Sequence, residues 1–275
     1  MKTKIKNLFF FLSLSIFLFG YLPAYSQKKA ELIKSLWADK PILIDGQLND
    51  WNDSLTLYND ATKLYYNLSN DDENIYLAIK NGAPESLTRI LARGISFSAN
   101  IENKKIPAMV TFPLLDRTPG KKLNEAEPPE PEEIQRRILE RIKEIRVDGF
   151  KEIIDGGISL YNTYGIKAAA AFDSKNNLIQ EIAIPIRLLG IEPGRTEPIT
   201  YGIRINGFQG PAAVQQRDMN AFDDMYGGRY GGRYNGRYGR NYGGMYGGMP
   251  SRNYPPARIS TSTEFFIKSS LAVKQ

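Results

Sequence analysis

Short apolar runs separated by polar, turn-forming sequences recur along most of the chain. The runs are rich in aromatic and β-branched residues, which is typical of β-strands. Six of them pair into hairpins around polar loops: Lys63 to Leu68 with Ile75 to Lys80, Gly94 to Ala99 with Ala108 to Phe112, and Ile166 to Phe172 with Leu178 to Ile186. Further strands are predicted at Pro41 to Ile44, Thr200 to Phe208 and Ser260 to Leu271. Short strands joined by turn-rich loops indicate a mainly β fold, an antiparallel sandwich or a barrel.

Two segments have helical periodicity instead. Apolar residues recur at helical spacing in Pro84 to Arg93, which predicts a short helix crossing the sheet. Pro128 to Arg146 begins with proline and acidic residues, as helix N-termini do, and carries an isoleucine stripe at Ile134, Ile138, Ile142 and Ile145. We expect the stripe to pack on the domain, and a partner-binding face is the alternative interpretation.

Two low-complexity segments interrupt the strand pattern. Arg117 to Pro131 is rich in proline, lysine and glutamate, so a linker followed by a helix is predicted at 117–146. Residues 224–256 repeat Tyr-Gly-Gly and Gly-Arg-Tyr units between two predicted strands, and we call them the Gly/Tyr/Arg insertion. Glycine at this density does not offset the entropy lost on ordering the backbone, so we expect a disordered loop.

Residues 1–26 have the features of a secretory signal peptide. Three lysines precede an apolar run from Leu8 to Phe19. Small residues at Ala24 and Ser26 suit signal peptidase, so cleavage is predicted between Ser26 and Gln27. A retained membrane anchor is the alternative, but a spanning helix needs about 20 apolar residues. We therefore expect an exported protein, a single domain over 27–275 without a membrane span, that is periplasmic, outer-membrane-associated or extracellular.

Composition narrows the classes of function. Removal of the signal peptide lowers the formal net charge from +6 to +3, and most of the remaining excess lies in the arginines of the Gly/Tyr/Arg insertion. The rest of the chain is nearly neutral, so no nucleic-acid-binding surface is indicated. Export also removes cytosolic and nuclear nucleic acid as default partners of the insertion.

The chain contains no histidine and no cysteine. This composition excludes disulfides, thiolate or imidazole metal sites, and the ordinary Ser/His/Asp and Cys/His catalytic arrangements. Paired carboxylates for glycoside hydrolysis remain an alternative, with Asp45 and Asp50, or Glu181 and Asp155, as candidates. Because loop acids are usually solvated, the sequence favours a protein that is not an enzyme and has no catalytic residues.

Two acidic clusters are candidates for a cation site. Asp45, Asn49 and Asp50 surround Trp51, and Asp71 begins the acidic loop of the first hairpin. Oxygen ligands at short spacing suit calcium, although the spacing does not match an EF-hand loop. Capping and turn formation by Asp and Asn account for the same residues without a metal.

Exposed aromatic rings are the second kind of candidate. Rings that stack on the flat faces of pyranoses, with polar groups bonding the hydroxyls, would suit a β-sandwich surface. Tyr161 and Tyr164 flank a predicted loop and Trp37 precedes the first hairpin, so these three are the candidate ligand-binding residues. The first hairpin contains three tyrosines, Tyr65, Tyr66 and Tyr76, and we expect at least half of them to be buried.

Three short motifs occur in order along residues 36–273. They are Ile44-Asp-Gly-Gln-Leu-Asn-Asp-Trp51, Asn70-Asp-Asp-Glu-Asn-Ile-Tyr-Leu-Ala-Ile-Lys80, and Glu181-Ile-Ala-Ile-Pro-Ile186 followed by Leu188-Leu-Gly190. The first resembles the IDG-x-L-x-x-W signature of family 9 carbohydrate-binding modules and their DOMON-like relatives. The others are similar to that family's D-x-x-N-L-Y hairpin and E-x-x-I-P-x-x-x-L-G strand and turn. This resemblance implies a jelly-roll-like antiparallel β-sandwich with one or two helical insertions.

The resemblance also implies a class of ligand. Characterised members of the family hold sugar ends between two tryptophans, and some bind calcium close to the first hairpin. Trp51 matches the signature position, which looks like a packing residue, and Trp37 is the other tryptophan of this chain. The resemblance therefore implies the sandwich more strongly than it implies a particular sugar site, because function resides in the site.

Two functional hypotheses follow from the sequence. The leading one is an exported, non-catalytic module that binds a carbohydrate or another cell-envelope ligand. The alternative is a structural or assembly protein of the envelope, in which the Gly/Tyr/Arg insertion contacts other proteins or other copies of the chain. The sequence leaves the oligomeric state open.

The signal peptide makes the first testable prediction. After expression in a secreting bacterial host, mass spectrometry of the exported protein should give Gln27 as its N-terminus, because the small residues before it are what signal peptidase reads. An Ala24→Asp variant should accumulate with residues 1–26 attached. An exported wild-type product that retains these residues would contradict the prediction.

Overall fold

Alternating apolar and polar residues build two β-sheets that pack face to face. The computed structural model describes residues 30–101, 106–116, 130–192, 195–207 and 262–274. The predicted signal peptide, residues 117–129 of the predicted linker and the Gly/Tyr/Arg insertion lie outside these ranges.

The described residues contain thirteen strands and three helices. The strands are β1 (Glu31–Leu32), β2 (Leu36–Trp37), β3 (Leu57–Asn59), β4 (Leu64–Asn70), β5 (Asn74–Asn81), β6 (Ile95–Asn100), β7 (Ala108–Leu115), β8 (Ile142–Asp148), β9 (Gly156–Ser159), β10 (Lys167–Phe172), β11 (Leu178–Pro185), β12 (Ile199–Ile205) and β13 (Thr263–Ser269). The helices are α1 (Pro84–Arg93), α2 (Pro131–Glu140) and α3 (Ile186–Leu189), and Asn49–Trp51 form a 3-10 turn. In the part of the chain that the structure describes, no helix is long and apolar enough to cross a membrane.

The strands form two sheets, which we call sheet A and sheet B. Sheet A has the order β1-β13-β12-β6-β7-β8-β9. Sheet B has the order β10-β11-β5-β4-β2, and β3 pairs with β4 as well. The ladders are antiparallel except for two short parallel pairs, β1 with β13 and β2 with β4. The predicted mainly β, antiparallel sandwich is therefore confirmed, and the parallel pairs arise where the N-terminal segment passes from one sheet to the other.

The main core lies between the two sheets. The inward residues of β5 alternate regularly, with Ile75, Leu77 and Ile79 all at most 1% exposed. Phe97 of β6 and Tyr201 of β12 stack at a centroid distance of 5.5 Å on the facing sheet. Burial of these side chains contributes about 25 cal/mol per Å² of apolar surface removed from water.

Hairpin positions were predicted well, and two other segments were predicted wrongly. The three predicted hairpins correspond to β4–β5, β6–β7 and β10–β11, and the predicted helix at 84–93 is α1. The helix predicted over 128–146 ends at Glu140, and Ile142 and Ile145 belong to strand β8. The three-residue step from Ile142 to Ile145 fits a helix and not a regular strand, but a register shift in the pairing with β7 lets β8 bury both side chains. Pro41 to Ile44 form no strand and lie over sheet B, where Ile42 and Ile44 pack against a second apolar cluster.

This second cluster covers part of the outer face of sheet B. Leu48, Trp51 and Leu55 of the N-terminal segment pack on residues that point away from the main core. The outward residues beneath them are Tyr76, Ala78, Ile179 and Ala183. The segment at 38–55 therefore acts as a third layer, and β5 and β11 are buried on both faces.

A buried carboxylate holds this third layer in place. Glu181 of β11 is 0% exposed, and its Oε1 accepts a 2.7 Å hydrogen bond from the Trp51 indole Nε1. Its Oε2 accepts bonds from the backbone N–H groups of Gly46 at 2.7 Å and Asp45 at 3.0 Å. Gly46 has a φ of +83° and lies directly on β10, so a Cβ would meet the Ala170 backbone carbon at 2.7 Å. Two of the sequence motifs, the one at 44–51 and the one beginning at Glu181, thus meet at a single buried acid.

The N- and C-terminal segments are joined at a buried amide. Asn70 is 2% exposed, and its Oδ1 accepts hydrogen bonds from the Ser35 hydroxyl and the Ala272 N–H. Its Nδ2 donates to the carbonyls of Asp71 and Ala272. One side chain therefore links β4 to both ends of the described chain.

Loss of the Trp51 indole donor should destabilise the fold. Trp51→Phe leaves one oxygen of a buried carboxylate without its donor, and hydrogen bonds to charged groups contribute about 1.5–3 kcal/mol. Urea unfolding should show a loss of that size. Trp37→Phe is the matched control, since the Trp37 indole N–H has no hydrogen-bond partner in the described structure. Equal losses in the two variants would contradict the proposed part played by Glu181.

Glu181 should also give stability a pH dependence. Burial raises the pKa of Glu181 above its ordinary 4.5, although the N–H groups of Trp51, Gly46 and Asp45 favour the ionised form. The folded state therefore keeps a proton that the unfolded chain has released, so the stabilising contribution is present at low pH and is lost as pH rises through the raised pKa.

The measurement compares wild type with Glu181→Gln, which cannot titrate at this position. The unfolding free energy of wild type minus that of the variant should decrease as pH rises from about 4 to about 7. Glu85→Gln, at an exposed position of α1, is the matched control for the change of charge. A difference that grows with pH would mean that hydrogen bonding outweighs burial at Glu181.

Candidate functional site

The outer face of sheet B has a covered part and an open part. Among the outward residues of β4, Asn67 bonds to the Thr56 N–H and hydroxyl, and Ser69 donates to the Leu36 carbonyl. Tyr65, the third outward residue of this strand, lies beyond the covering segment and is 39% exposed. The open part is therefore the row of residues that crosses the sheet at Tyr65.

Two tyrosine rings lie side by side in this row. Tyr58 of β3 is the cross-strand partner of Tyr65 and is 44% exposed. The ring centroids are 4.7 Å apart and the ring planes are tilted by 44°. Lys80 of β5 is the partner of Tyr65 on its other side, and its Nζ lies 5.6 Å from the Tyr65 ring centroid. We call Tyr58, Tyr65 and Lys80 the tyrosine platform.

The local sequence explains why this platform forms. Leu64 and Tyr66 are buried in the main core, so the alternation of a strand directs Tyr65 to the opposite face. The short strand β3 then brings Tyr58 alongside. Gly82 makes room for the Tyr65 ring, since a Cβ at this position would lie 2.9 Å from Tyr65 Cε2.

Charged and polar groups border the platform. Lys63 and Asp60, in the turn between β3 and β4, form an ion pair with a 2.5 Å Nζ–Oδ1 distance. The hydrogen bond with Asp60 raises the pKa of Lys63, and the neighbouring Tyr58 acts in the same direction. Lys63 is therefore cationic at neutral pH.

The arrangement can bind a flat ligand that has both apolar and hydroxylated surfaces. Two adjacent rings provide an apolar surface on which a pyranose can stack, and the phenol hydroxyls can donate or accept hydrogen bonds. The Lys80 and Lys63 ammonium groups donate, and Asp60 accepts. The platform contains no nucleophile paired with a base, so its geometry suits binding.

The structure does not bring the sequence-predicted aromatic residues together. Tyr161 is 95% exposed in the loop after β9, whereas Tyr164 in the same loop packs partly against the main core. Trp37 lies in β2, on the opposite edge of sheet B from the strand β10 that follows this loop. Four strand spacings separate β10 from β2, about 19 Å. Trp37 and the two tyrosines therefore do not form one clamp, and whether any of them binds a ligand stays a prediction.

The predicted calcium ligands hold their own turns. Asp45 Oδ1 accepts a bond from the Gln47 N–H at 2.8 Å, Asp50 Oδ2 accepts from the Leu43 N–H at 2.8 Å, and the Asn49 amide contacts Gln47 Oε1 at 3.4 Å. Asp71 caps the first hairpin through the N–H groups of Glu73 and Asn74, and accepts the Tyr76 hydroxyl at 2.6 Å. Among the described residues, no three acidic side chains gather as metal ligands would. The donor sets fit capped turns, and calcium binding by these residues stays a prediction.

The acids considered for hydrolysis are hydrogen-bonded to neighbouring parts of the chain. Glu181 is fully buried and bonded to the third layer, so a substrate does not reach it. Asp155 lies in the β8–β9 connection, where its Oδ1 accepts a bond from the Gly149 N–H. Asp50 is bonded to the Leu43 N–H.

Sequence reasoning did not identify the tyrosine platform, although its expectation that at least half of the hairpin tyrosines are buried is confirmed. Of the three tyrosines in the first hairpin, Tyr66 and Tyr76 are buried and Tyr65 is exposed. Alternation in β4 could have singled out Tyr65, because it lies between two buried residues. Tyr58 gave no such signal, since Leu57–Asn59 is too short to stand out as a strand.

Comparisons with known proteins give one structural match. No family model matches the chain, and no curated protein matches it in sequence. Among solved structures, the chain is similar to a family 9 carbohydrate-binding module from Caldicellulosiruptor kristjanssonii in complex with glucose. The two are 12% identical, the match covers 67% of this chain and 81% of that one, and the TM-score is 0.31. A similarity of this size adds no argument about the ligand of this chain.

Proposed function

We propose that the chain is an exported, non-catalytic module that binds glycans of the cell envelope through the tyrosine platform. The observation that carries the proposal is the pair of exposed rings beside the part of the sheet face that the segment at 38–55 covers. The chain shields most of the outer face of sheet B with the segment at 38–55 and leaves Tyr58 and Tyr65 in water.

Exposed neighbouring rings carry a cost that binding would offset. Each ring has a large apolar area, and removing that area from water stabilises a complex by about 25 cal/mol per Å². The cross-strand contact holds the two rings in place before any ligand arrives, which reduces the entropy lost on binding. Lys80 adds a cation beside the Tyr65 ring and limits the rotamers open to that ring.

The rest of the molecule supports binding over catalysis. The buried acid Glu181 serves the third layer, and the sequence has no histidine or cysteine. The predicted signal peptide would direct the chain out of the cytoplasm. Outside the cytoplasm, polysaccharides of the envelope are the abundant hydroxylated ligands. The alternative assembly function assigned to the Gly/Tyr/Arg insertion falls on residues outside the described structure.

A glycan array on the purified protein, with and without calcium, tests the proposal. We expect binding to a subset of oligosaccharides, and titration calorimetry then gives the affinity for the strongest. Tyr58→Ala and Tyr65→Ala should each weaken binding at least about tenfold, which corresponds to ~1.4 kcal/mol. Both residues are partly exposed, so the unfolding midpoints should change little.

Tyr161→Ala is the matched control, because it removes an equally large and more exposed ring from a different surface. It should leave affinity unchanged. Blank arrays under both conditions would refute a glycan-binding function. Loss of binding in Tyr161→Ala alone would place the site in the loop after β9 and refute the tyrosine platform.

A further inference from the structure

Strand β10 is the longest free edge among the described strands. The other edge positions are occupied by β1 and β2 with 2 residues each, β3 with 3 and β9 with 4. Strand β10 has 6 residues and pairs with β11 alone. Short edge strands are a common protection against edge-to-edge pairing, and this edge lacks it.

Helix α2 contacts β10 near its C-terminal turn, where Gln135 Nε2 donates to Asn176 Oδ1 at 2.6 Å. The strand itself contains no bulge and no proline. Its register with β11 is continuous over all 6 residues, and its sequence, Lys-Ala-Ala-Ala-Ala-Phe, has no proline and one charge at its start. Ala168 and Ala170 pack against the main core and still remain partly exposed, as does every residue from 168 to 172. β10 pairs with no strand on this side among the described residues.

The hairpin turn shows which backbone groups face outward. The Asp173 N–H donates to the Asn177 carbonyl at 2.9 Å, so the odd-numbered residues of β10 direct their N–H and C=O groups toward β11. Backbone groups alternate in direction along an antiparallel strand. Ala168, Ala170 and Phe172 consequently direct their N–H and C=O groups away from sheet B.

These outward groups are self-complementary. Suppose that a second copy pairs antiparallel with Ala170 opposite Ala170. Ala168 of each copy then lies opposite Phe172 of the other copy. Each of the three outward residues then exchanges hydrogen bonds with a residue of the same outward set. The alanines bring no bulky side chain to the contact on either face.

Charge selects the same register. With Ala170 opposite Ala170, Lys167 lies opposite Asp173 of the second copy, and the pair occurs twice by symmetry. A shift of two residues in one direction places Lys167 opposite Ala171, and a shift in the other direction places it opposite Lys175. Opposite charges on cross-strand neighbours stabilise a pair, and like charges destabilise it.

Lys167 and Asp173 are both accessible at the surface of the described structure. Lys167 is exposed, and Asp173 is partly exposed. Burial opposes ionisation of Asp173, but hydrogen bonds from Asn177 and the Lys175 N–H, together with the charge of Lys80, lower its pKa below the ordinary value. Its carboxylate is therefore charged at neutral pH.

We propose that two copies of this chain pair antiparallel through β10, centred on Ala170. Sheet B then continues from one copy into the other as a single twelve-stranded sheet. The contact joins identical surfaces about a twofold axis, so it closes at the dimer and does not propagate. This inference goes beyond glycan binding and does not depend on it.

Analytical ultracentrifugation of the purified protein tests the proposal. Protein concentrations of about 1 μM to 1 mM cover the dissociation constants expected of a modest interface. The molar mass should rise reversibly from that of a monomer to that of a dimer. Ala170→Pro should raise the dissociation constant at least about tenfold, because proline removes an outward N–H at the centre of the contact. The internal ladder with β11 loses no bond, so the unfolding midpoint should stay close to that of wild type.

Lys167→Glu is the second variant, and it keeps the proposal testable if Ala170→Pro does not fold. It places like charges opposite each other and should raise the dissociation constant about tenfold, less so at high salt. Lys175→Glu is the matched control, with the same change of net charge on the same hairpin, and should leave dimerisation unchanged. Deletion of residues 224–256 should also leave it unchanged.

Three results would overturn the proposal. They are a monomer at every concentration, a dimer that neither Ala170→Pro nor Lys167→Glu weakens, and a dimer lost on deletion of 224–256. The third result would assign self-association to the Gly/Tyr/Arg insertion. Glycan binding is measured separately, so a monomer that still binds sugars would refute only the dimer.

Discussion

The structure depends on one buried carboxylate. Glu181 lies on the outer face of sheet B, where a charge without partners would cost several kcal/mol. The Trp51 indole and the backbone N–H groups of Asp45 and Gly46 provide those partners. The acid thereby fixes the N-terminal segment on the sheet, and the apolar residues Leu48, Trp51 and Leu55 are buried as a consequence.

The position of this segment decides which surfaces remain available. It covers the residues of β5 and β11 beneath Trp51 and ends before the row that contains Tyr58 and Tyr65. It also lies against the outer face of β10 through Gly46, and no described strand pairs with the other edge of β10. The exposed ring pair is thus a result of where this segment ends on the sheet.

The two proposals are compatible in geometry. Antiparallel pairing through β10 has its twofold axis perpendicular to the sheet, so the outer faces of both copies point in the same direction. Two tyrosine platforms would then face the same surface. Linked sites of this kind bind polymeric ligands more tightly than either site alone, because the second contact is intramolecular. Envelope polysaccharides are polymers with repeating units, which suits such an arrangement.

The sequence by itself determined the hairpins, helix α1 and the mainly β class, since local alternation and turn residues specify these elements whatever surrounds them. It also identified Trp51 and Glu181 as members of ordered motifs. Only the tertiary structure decided that these residues meet, that Ile142 and Ile145 form a strand, and that Pro41 to Ile44 cover a sheet. The three-residue step from Ile142 to Ile145 is a helical spacing, and only the irregular register with β7 allows a strand to bury both side chains. The exposure of Tyr58 and the direction of the backbone groups of β10 could not be read from the sequence. Both depend on how neighbouring strands pair and on which surfaces the rest of the chain covers.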